Sequence, residues 1–170
     1  MKSAVIIGGG FGGLTTGALL AREGMDVTVI EKNHNIGGGL QSFRRDGIDF
    51  ETGMHILGGF TEGDSVYRIF DYIGIMDRLQ LKRSDADCMD QITYLDYTGT
   101  PEGSAYGIAR DITLGMSCHV PQRTKLPGLY LTGQNINSHG ILGVLVGSIV
   151  TCSDILGTAY LYQKIKDANK

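Results

Sequence analysis

The chain has 170 residues, of which 42% are hydrophobic and 19% charged, and its net charge is −3. That length suits one domain with a real core and leaves little for a second. Lys and Arg are few and scattered, which excludes a basic nucleic-acid surface, and the 26 glycines cluster at turns instead of forming a low-complexity linker. Cys88, Cys118 and Cys152 lie far apart in no ligand-like spacing, so free thiols, a cytoplasmic setting and no metal site are expected.

In chain order, Ala4-Val5-Ile6-Ile7 reads as a short apolar strand, beginning too close to Met1 to leave room for a signal peptide. It runs into Gly8-Gly9-Gly10-Phe11-Gly12-Gly13, in which Gly8, Gly10 and Gly13 satisfy G-x-G-x-x-G. The three glycines have separate roles. Gly8 permits the tight turn, Gly10 lets backbone approach a pyrophosphate, and Gly13 lets the following helix pack closely on the sheet. The helix, predicted over 14–23, turns its N-terminal N–H groups toward the phosphates and carries a small-residue stripe at Gly13, Gly17 and Ala21. Gly24 is its expected stop. Residues 26–30, Asp-Val-Thr-Val-Ile, read as a second strand, and Glu31 follows about 20 residues after the glycines, where such a fingerprint places an acid on the ribose hydroxyls. That acid disfavours a 2′-phosphate.

A second glycine cluster, Gly37-Gly38-Gly39, comes soon after. A simple nicotinamide site has no need of it, whereas an extended flavin dinucleotide calls for a second close approach of backbone. Residues 44–51 read as a hairpin turning at Asp46-Gly47. Met54 and His55 sit in a glycine-flanked loop suited to a flavin ring, with His55 either a polar group near the ring or a structural histidine. A helix is predicted over 64–75, capped by Asp64 or Ser65, with a stripe of Val66, Ile69, Phe70 and Ile73. Residues 79–81 and 93–97 are strand candidates, and 106–121 show no clear period.

The end of the chain repeats the opening pattern. Residues 128–133 read as a strand closing on Gly133, a polar loop follows, and 141–156 read as a buried helix. Its apolar run is too short to span a membrane. Gly143 and Gly147 allow close approach, and its N-terminal dipole suits the charge on a reduced flavin. From Tyr160 on, a frayed polar tail is expected. Two strand–glycine–helix units therefore stand at the two ends, one suited to an ADP moiety and the other to the flavin end of the same FAD molecule. The expected fold is α/β: a Rossmann-like FAD/NAD(P)-binding domain with a mainly parallel central sheet. It would be a single domain, 1–170, which a family resemblance divides into an N-terminal segment (1–92) and a C-terminal segment (93–170).

The residues also carry a resemblance. Val5 to Leu14 around the glycines, Val29-Ile30-Glu31-Lys32, the 37–39 cluster with Ser42-Phe43, Tyr97-Thr98-Gly99-Thr100-Pro101-Glu102-Gly103, and Leu131-Thr132-Gly133-Gln134-Asn135 with His139-Gly140-Ile141-Leu142-Gly143 are similar to the FAD-dependent phytoene desaturase, carotenoid isomerase and retinol saturase family. The resemblance implies Gly8, Gly10 and Gly13 at the pyrophosphate, Glu31 at the adenosine ribose, and Gly38 and Gly39 at the phosphates and ribityl chain, with Phe11, Gly12, Lys32 and Leu40 also expected to be cofactor-binding. It further implies Gly133 and Gln134 at the ribityl end, and Ile141, Leu142 and Gly143 under the flavin pyrimidine. Gln134 stands where many relatives have an acid, and no arginine flanks the second glycine cluster.

Family members are much longer, with a substrate domain between the two segments; here that domain is expected to be absent. The implied function is an FAD-binding part of an oxidoreductase acting on C=C bonds of a polyene or isoprenoid, incomplete as a catalyst and with no catalytic side chain assigned. A NAD(H)-binding dehydrogenase domain and a non-catalytic FAD-binding scaffold are the alternatives. Expected partners are FAD, a lipid-like polyene only in a full-length form, and a second copy through the face left open by the missing domain. No transmembrane segment is expected, with peripheral membrane attachment confined to full-length relatives.

Overall fold

A computed structural model describes residues 2–53, 57–81, 119–133, 136 and 140–168. The element order is β1 (Ser3–Ile7), α1 (Phe11–Arg22), β2 (Asp26–Ile30), β3 (Ser42–Arg45), β4 (Ile48–Glu51), α2 (Ser65–Ile73), α3 (Gly140–Leu156) and α4 (Thr158–Asp167), with short 3-10 turns at Gly38–Leu40 and Met76–Arg78. β1 and β2 pair in parallel, Ser3 opposite Asp26 through Ile7 opposite Ile30. A parallel pair needs a crossover, and α1 supplies it. The alternation of strand side chains gives α1 one face of the sheet: Gly17 sits within van der Waals reach of Ile6, Val27 and Val29. The opposite face leaves Val5, Ile7 and Ile30 exposed at 65%, 87% and 53%.

Helices α2, α3 and α4 complete the core on the far side of α1. One cluster joins Leu19 and Leu20 of α1 to Tyr72, Cys152, Leu161 and Ile165. A second joins Val66, Ile69 and Phe70 of α2 to Leu145 of α3. The stripe read from the sequence is thus the buried face of α2. Gly74 ends that helix at φ +85°, with its N–H and that of Ile75 donating back to Phe70 O at 3.0 Å. The β3–β4 hairpin forms about Asp46 and Gly47, both at positive φ, and stacks Phe43 on Phe50.

Four details differ from the sequence expectation. Residues 128–133 form no sheet strand: the segment folds back on itself, with one antiparallel bridge between Arg123 and Tyr130 and Leu131 N–H donating to Gln122 O at 2.8 Å. The described central sheet is therefore two-stranded, and its parallel pair is β1–β2 alone. Residues 79–81 are irregular after the 3-10 turn. Asp64 occupies the N-cap position of α2, but its carboxylate accepts from Thr61 N–H at 3.1 Å and makes no cap bond. The tail is a helix, α4, because Leu161 and Ile165, one turn apart, bury against α1 and α2. The strand candidate at 93–97, Cys88, Cys118 and the 106–118 stretch lie outside the described residues.

Candidate dinucleotide site

Three backbone turns meet at the N-terminal end of α1. In the first, Gly8 has φ +104°, a conformation L side chains rarely adopt. A Cβ on Gly13 would stand 2.0 Å from Gly8 O, so the helix can follow the strand this closely only with glycine there. Around Gly10 the space is open, its nearest neighbour being Gly38 Cα at 4.0 Å from a notional Cβ. The tight turn at Gly8 and the close helix–strand approach at Gly13 are as read from the sequence. Gly10 is also the N-cap residue of α1, so the first-turn N–H groups, which no helical carbonyl can accept, point out beside it.

The second turn docks onto the first. Gly37 N–H donates to Gly9 O at 2.7 Å, and Gly10 and Gly37 form a parallel bridge. Gly37 and Gly38 both have positive φ, and a Cβ on Gly38 would come 3.1 Å from Gly10 Cα. Gly39 and half-buried Leu40 are backed by Gly53, where a Cβ would lie 1.9 Å from Gly39 O and 3.3 Å from Leu40 Cδ2. Thr52 Oγ1 donates to Gly39 O and Gln41 O at 3.2 and 2.7 Å.

Glu31 ties the end of β2 to the first turn and to its own loop. Its Oε2 accepts from Gly9 N–H at 2.7 Å and its Oε1 from Asn33 N–H at 2.9 Å. Those backbone donors, Asn33 and then Gly9, hold its carboxyl below the usual carboxylate range. Lys32 beside it is exposed. A hollow of about 350 Å³ lies next to this carboxylate's loop, lined by His34, Asn35, Ile36, Gln41 and Ser42.

The third turn comes from the other end of the chain. A Cβ on Gly12 would stand 2.9 Å from Gly133 Cα and 3.3 Å from Val144 Cγ1. Gly133 has φ +108° and is backed by Gly147, whose notional Cβ lies 3.3 Å from Gly133 O. The segment leading to it is pinned to α3: Gln122 Nε2 donates to Asp154 Oδ2 at 2.7 Å, and Arg123 Nε stands 3.1 Å from the same oxygen. The Arg123 guanidinium, with Gln122, holds the Asp154 carboxyl low.

The remaining candidates are placed differently. Phe11 turns its ring toward Phe70, 6.2 Å between centroids, and Ile141 packs on the same α2–α3 cluster. Leu142 is 48% exposed and Gly143 buried, both on the first turns of α3. Met54, His55 and Gln134 lie outside the described residues. Reading the sequence overlooked Gly53 and the buried hydroxyls Thr16, Ser148 and Thr151. The signal was there in the last three: hydroxyl side chains set among the small and apolar residues that dominate both helices.

A separate polar cluster gathers at the opposite end of α1. Glu23, with a side chain 2% exposed, accepts from Lys164 Nζ at 2.8 Å and from Tyr72 OH. Burial raises the Tyr72 hydroxyl to about 12, with Glu23 adding to the effect. Arg22 lies over the Tyr72 ring and Lys164 over the Tyr160 ring, each 4.7 Å from the centroid. A hollow of about 1040 Å³ borders this cluster. Cys152 is fully buried, and burial pushes its thiol up to about 12, well away from nucleophilic use. No described helix is long and apolar enough to cross a membrane.

The comparisons agree with this geometry. Residues 6–73 match the family described as an NAD(P)-binding Rossmann-like domain. All-trans-retinol 13,14-reductase of Rattus norvegicus is 29% identical over 140 residues, 81% of this chain and 22% of that protein. The Macaca fascicularis protein of the same name is 30% identical over 139 residues, with the same shares. The 4,4'-diapophytoene desaturase (4,4'-diaponeurosporene-forming) of Staphylococcus aureus (strain Newman) is 44% identical over 57 residues, 34% of this chain and 11% of that protein. The matched stretch thus spans about a fifth of the retinol reductases' length, and over that stretch the chain is a relative of the FAD-dependent phytoene desaturase and retinol saturase family.

Proposed function

We propose that this chain is the FAD-binding part of a flavin-dependent oxidoreductase acting on C=C bonds of a polyene or isoprenoid. The observation that carries the reading is the meeting of three glycine turns, Gly8–Gly13, Gly37–Gly39 and Gly133, at one helix end. A mononucleotide would need only the first. A long dinucleotide gives all three a use, with the N- and C-terminal segments contributing to one site.

The residues present fit such a ligand. Gly8 and Gly10 leave space where a Cβ would otherwise stand, and the first turn of α1 offers N–H groups to a pyrophosphate. Glu31 is held ionised and directed at the turn, which suits ribose hydroxyls and repels a 2′-phosphate. Gly38, Gly39 and Gly133 offer backbone further along. When bound, the flavin supplies hydride transfer, and the protein's part is to hold and orient it. The polyene substrate belongs to a full-length form, whose substrate domain lies outside this stretch. A second copy would associate through the face left open by the missing domain, and light scattering across a concentration series reads that state.

The test is the visible absorption spectrum of the purified chain, with mass identification of any ligand, followed by titration with FAD and with NADH. A flavin spectrum, or saturable FAD binding stronger than NADH binding, is expected. A colourless protein that takes up NADH and ignores FAD overturns the proposal in favour of a nicotinamide-binding domain.

A further inference from the structure

The Gly133 turn is held against α1 and α3 by side-chain hydroxyls. Thr16 Oγ1 and Thr132 Oγ1 share a hydrogen bond of 3.0 Å across 116 positions of sequence. One turn along α3, Thr151 Oγ1 donates to Leu131 O at 2.9 Å, and Ser148 Oγ to Gly12 O at 3.2 Å. The hydroxyls differ in what they would lose. Ser148 and Thr151 also reach the carbonyls of Val144 and Gly147 in their own helix, at 3.0 and 2.9 Å. Such back-bonding satisfies them if the turn moves away. Thr16 is 4% exposed, and its hydroxyl faces Thr132. Displacing the turn would strand a buried hydroxyl, which is costly in a packed interface.

We propose that Thr16 and Thr132 are positioning residues for the dinucleotide. Their hydroxyl pair sets the register of the Gly133 turn on the first turns of α1. The part of the ligand that reaches Gly133 then depends on the pair, and the ADP part held by Gly8–Gly13 does not. This rests on the reading of one site built by both segments.

Affinities of the full chain for FAD and for ADP are measured by calorimetry in the wild type, Thr132→Val, Thr132→Ser and Thr16→Val. Valine keeps the shape and removes the hydroxyl; serine keeps the hydroxyl. The valine variants are expected to lose roughly fivefold to tenfold in FAD affinity and to hold ADP as the wild type does, while Thr132→Ser, rescuing the Thr132→Val loss, keeps wild-type FAD affinity. Equal losses for both ligands, no loss, or no rescue overturns the inference. Hydrogen exchange of the ligand-free protein separates this from the cofactor assignment: Thr132→Val is expected to speed exchange over 124–133 and leave the β3–β4 hairpin unchanged. Unaltered exchange at 124–133 overturns the register role whatever the protein binds, and a wild type that binds ADP but not FAD overturns the cofactor assignment alone.

Discussion

The two ends of α1 each gather several elements and use opposite chemistry. At its N-terminal end, glycine backbone from three turns is brought together and side chains are removed, leaving open space and outward N–H groups. At its C-terminal end, Arg22, Glu23, Tyr72, Tyr160 and Lys164 close on one another. The larger hollow lies at the second end, where Glu23 and Lys164 already pair, whereas the first end turns backbone N–H groups outward.

The sharpest way to break this contrast is to put a side chain back into the glycine end. Gly13→Ala places a Cβ 2.0 Å from Gly8 O, and the strand–helix approach must open. A destabilisation of about 3 kcal/mol is expected in urea unfolding, together with loss of dinucleotide binding; a wild-type midpoint would show that the approach is not tight. Next, Glu31→Gln keeps the size of the side chain but removes the charge and leaves one oxygen to accept from the Gly9 and Asn33 N–H groups, where the carboxylate offers two. Titration should show roughly tenfold weaker binding of the dinucleotide, and weaker discrimination against a 2′-phosphate.

At the other end, Glu23→Gln is expected to cost about 1 kcal/mol at neutral pH, since the Lys164 partner is 45% exposed and screened, with ligand affinity unchanged. The pH dependence has a definite sign. Burial pushes the Glu23 carboxyl up, but hydrogen bonds from Lys164, Tyr72 and Tyr160 outweigh it and the net pKa lies below the ordinary 4.5. Its contribution is therefore present above pH 4.5 and lost as pH falls through the lowered folded value. Urea midpoints of wild type and variant should converge over that acid range; a constant gap would place the ion pair outside the stability of this end. Smallest, Gly47→Ala forces a Cβ onto φ +80° in the hairpin turn. It should cost about 1 kcal/mol or less in local hydrogen-exchange protection, and leave both ends of α1 untouched.

Local pattern was enough for the elements whose geometry is local. Alternation and β-branching gave β2 at Asp26–Ile30, Asp46-Gly47 gave the hairpin, and the glycine spacing gave the tight turn at Gly8 and the close approach at Gly13. Glu31 was legible because its distance from the glycines is fixed by one βαβ unit. The polar look of residues after Tyr160 hid α4, since a helix needs only two apolar positions one turn apart when its neighbours supply the rest of the core. The apolar run at 128–133 looked like a strand, but strand character is completed by a partner, and here Gln122 and Arg123 turn the segment back and tie it to Asp154.

The sequence by itself determined where backbone must be bare and where an acid must stand, because φ > 0, close approach and the length of one crossover are properties of neighbouring residues. Only the tertiary structure decided that Gly133 comes to Gly12, that Gly53 backs Gly39, and that Thr16 meets Thr132. Those contacts join residues far apart along the chain, and their register is set by helix packing, which no local pattern encodes.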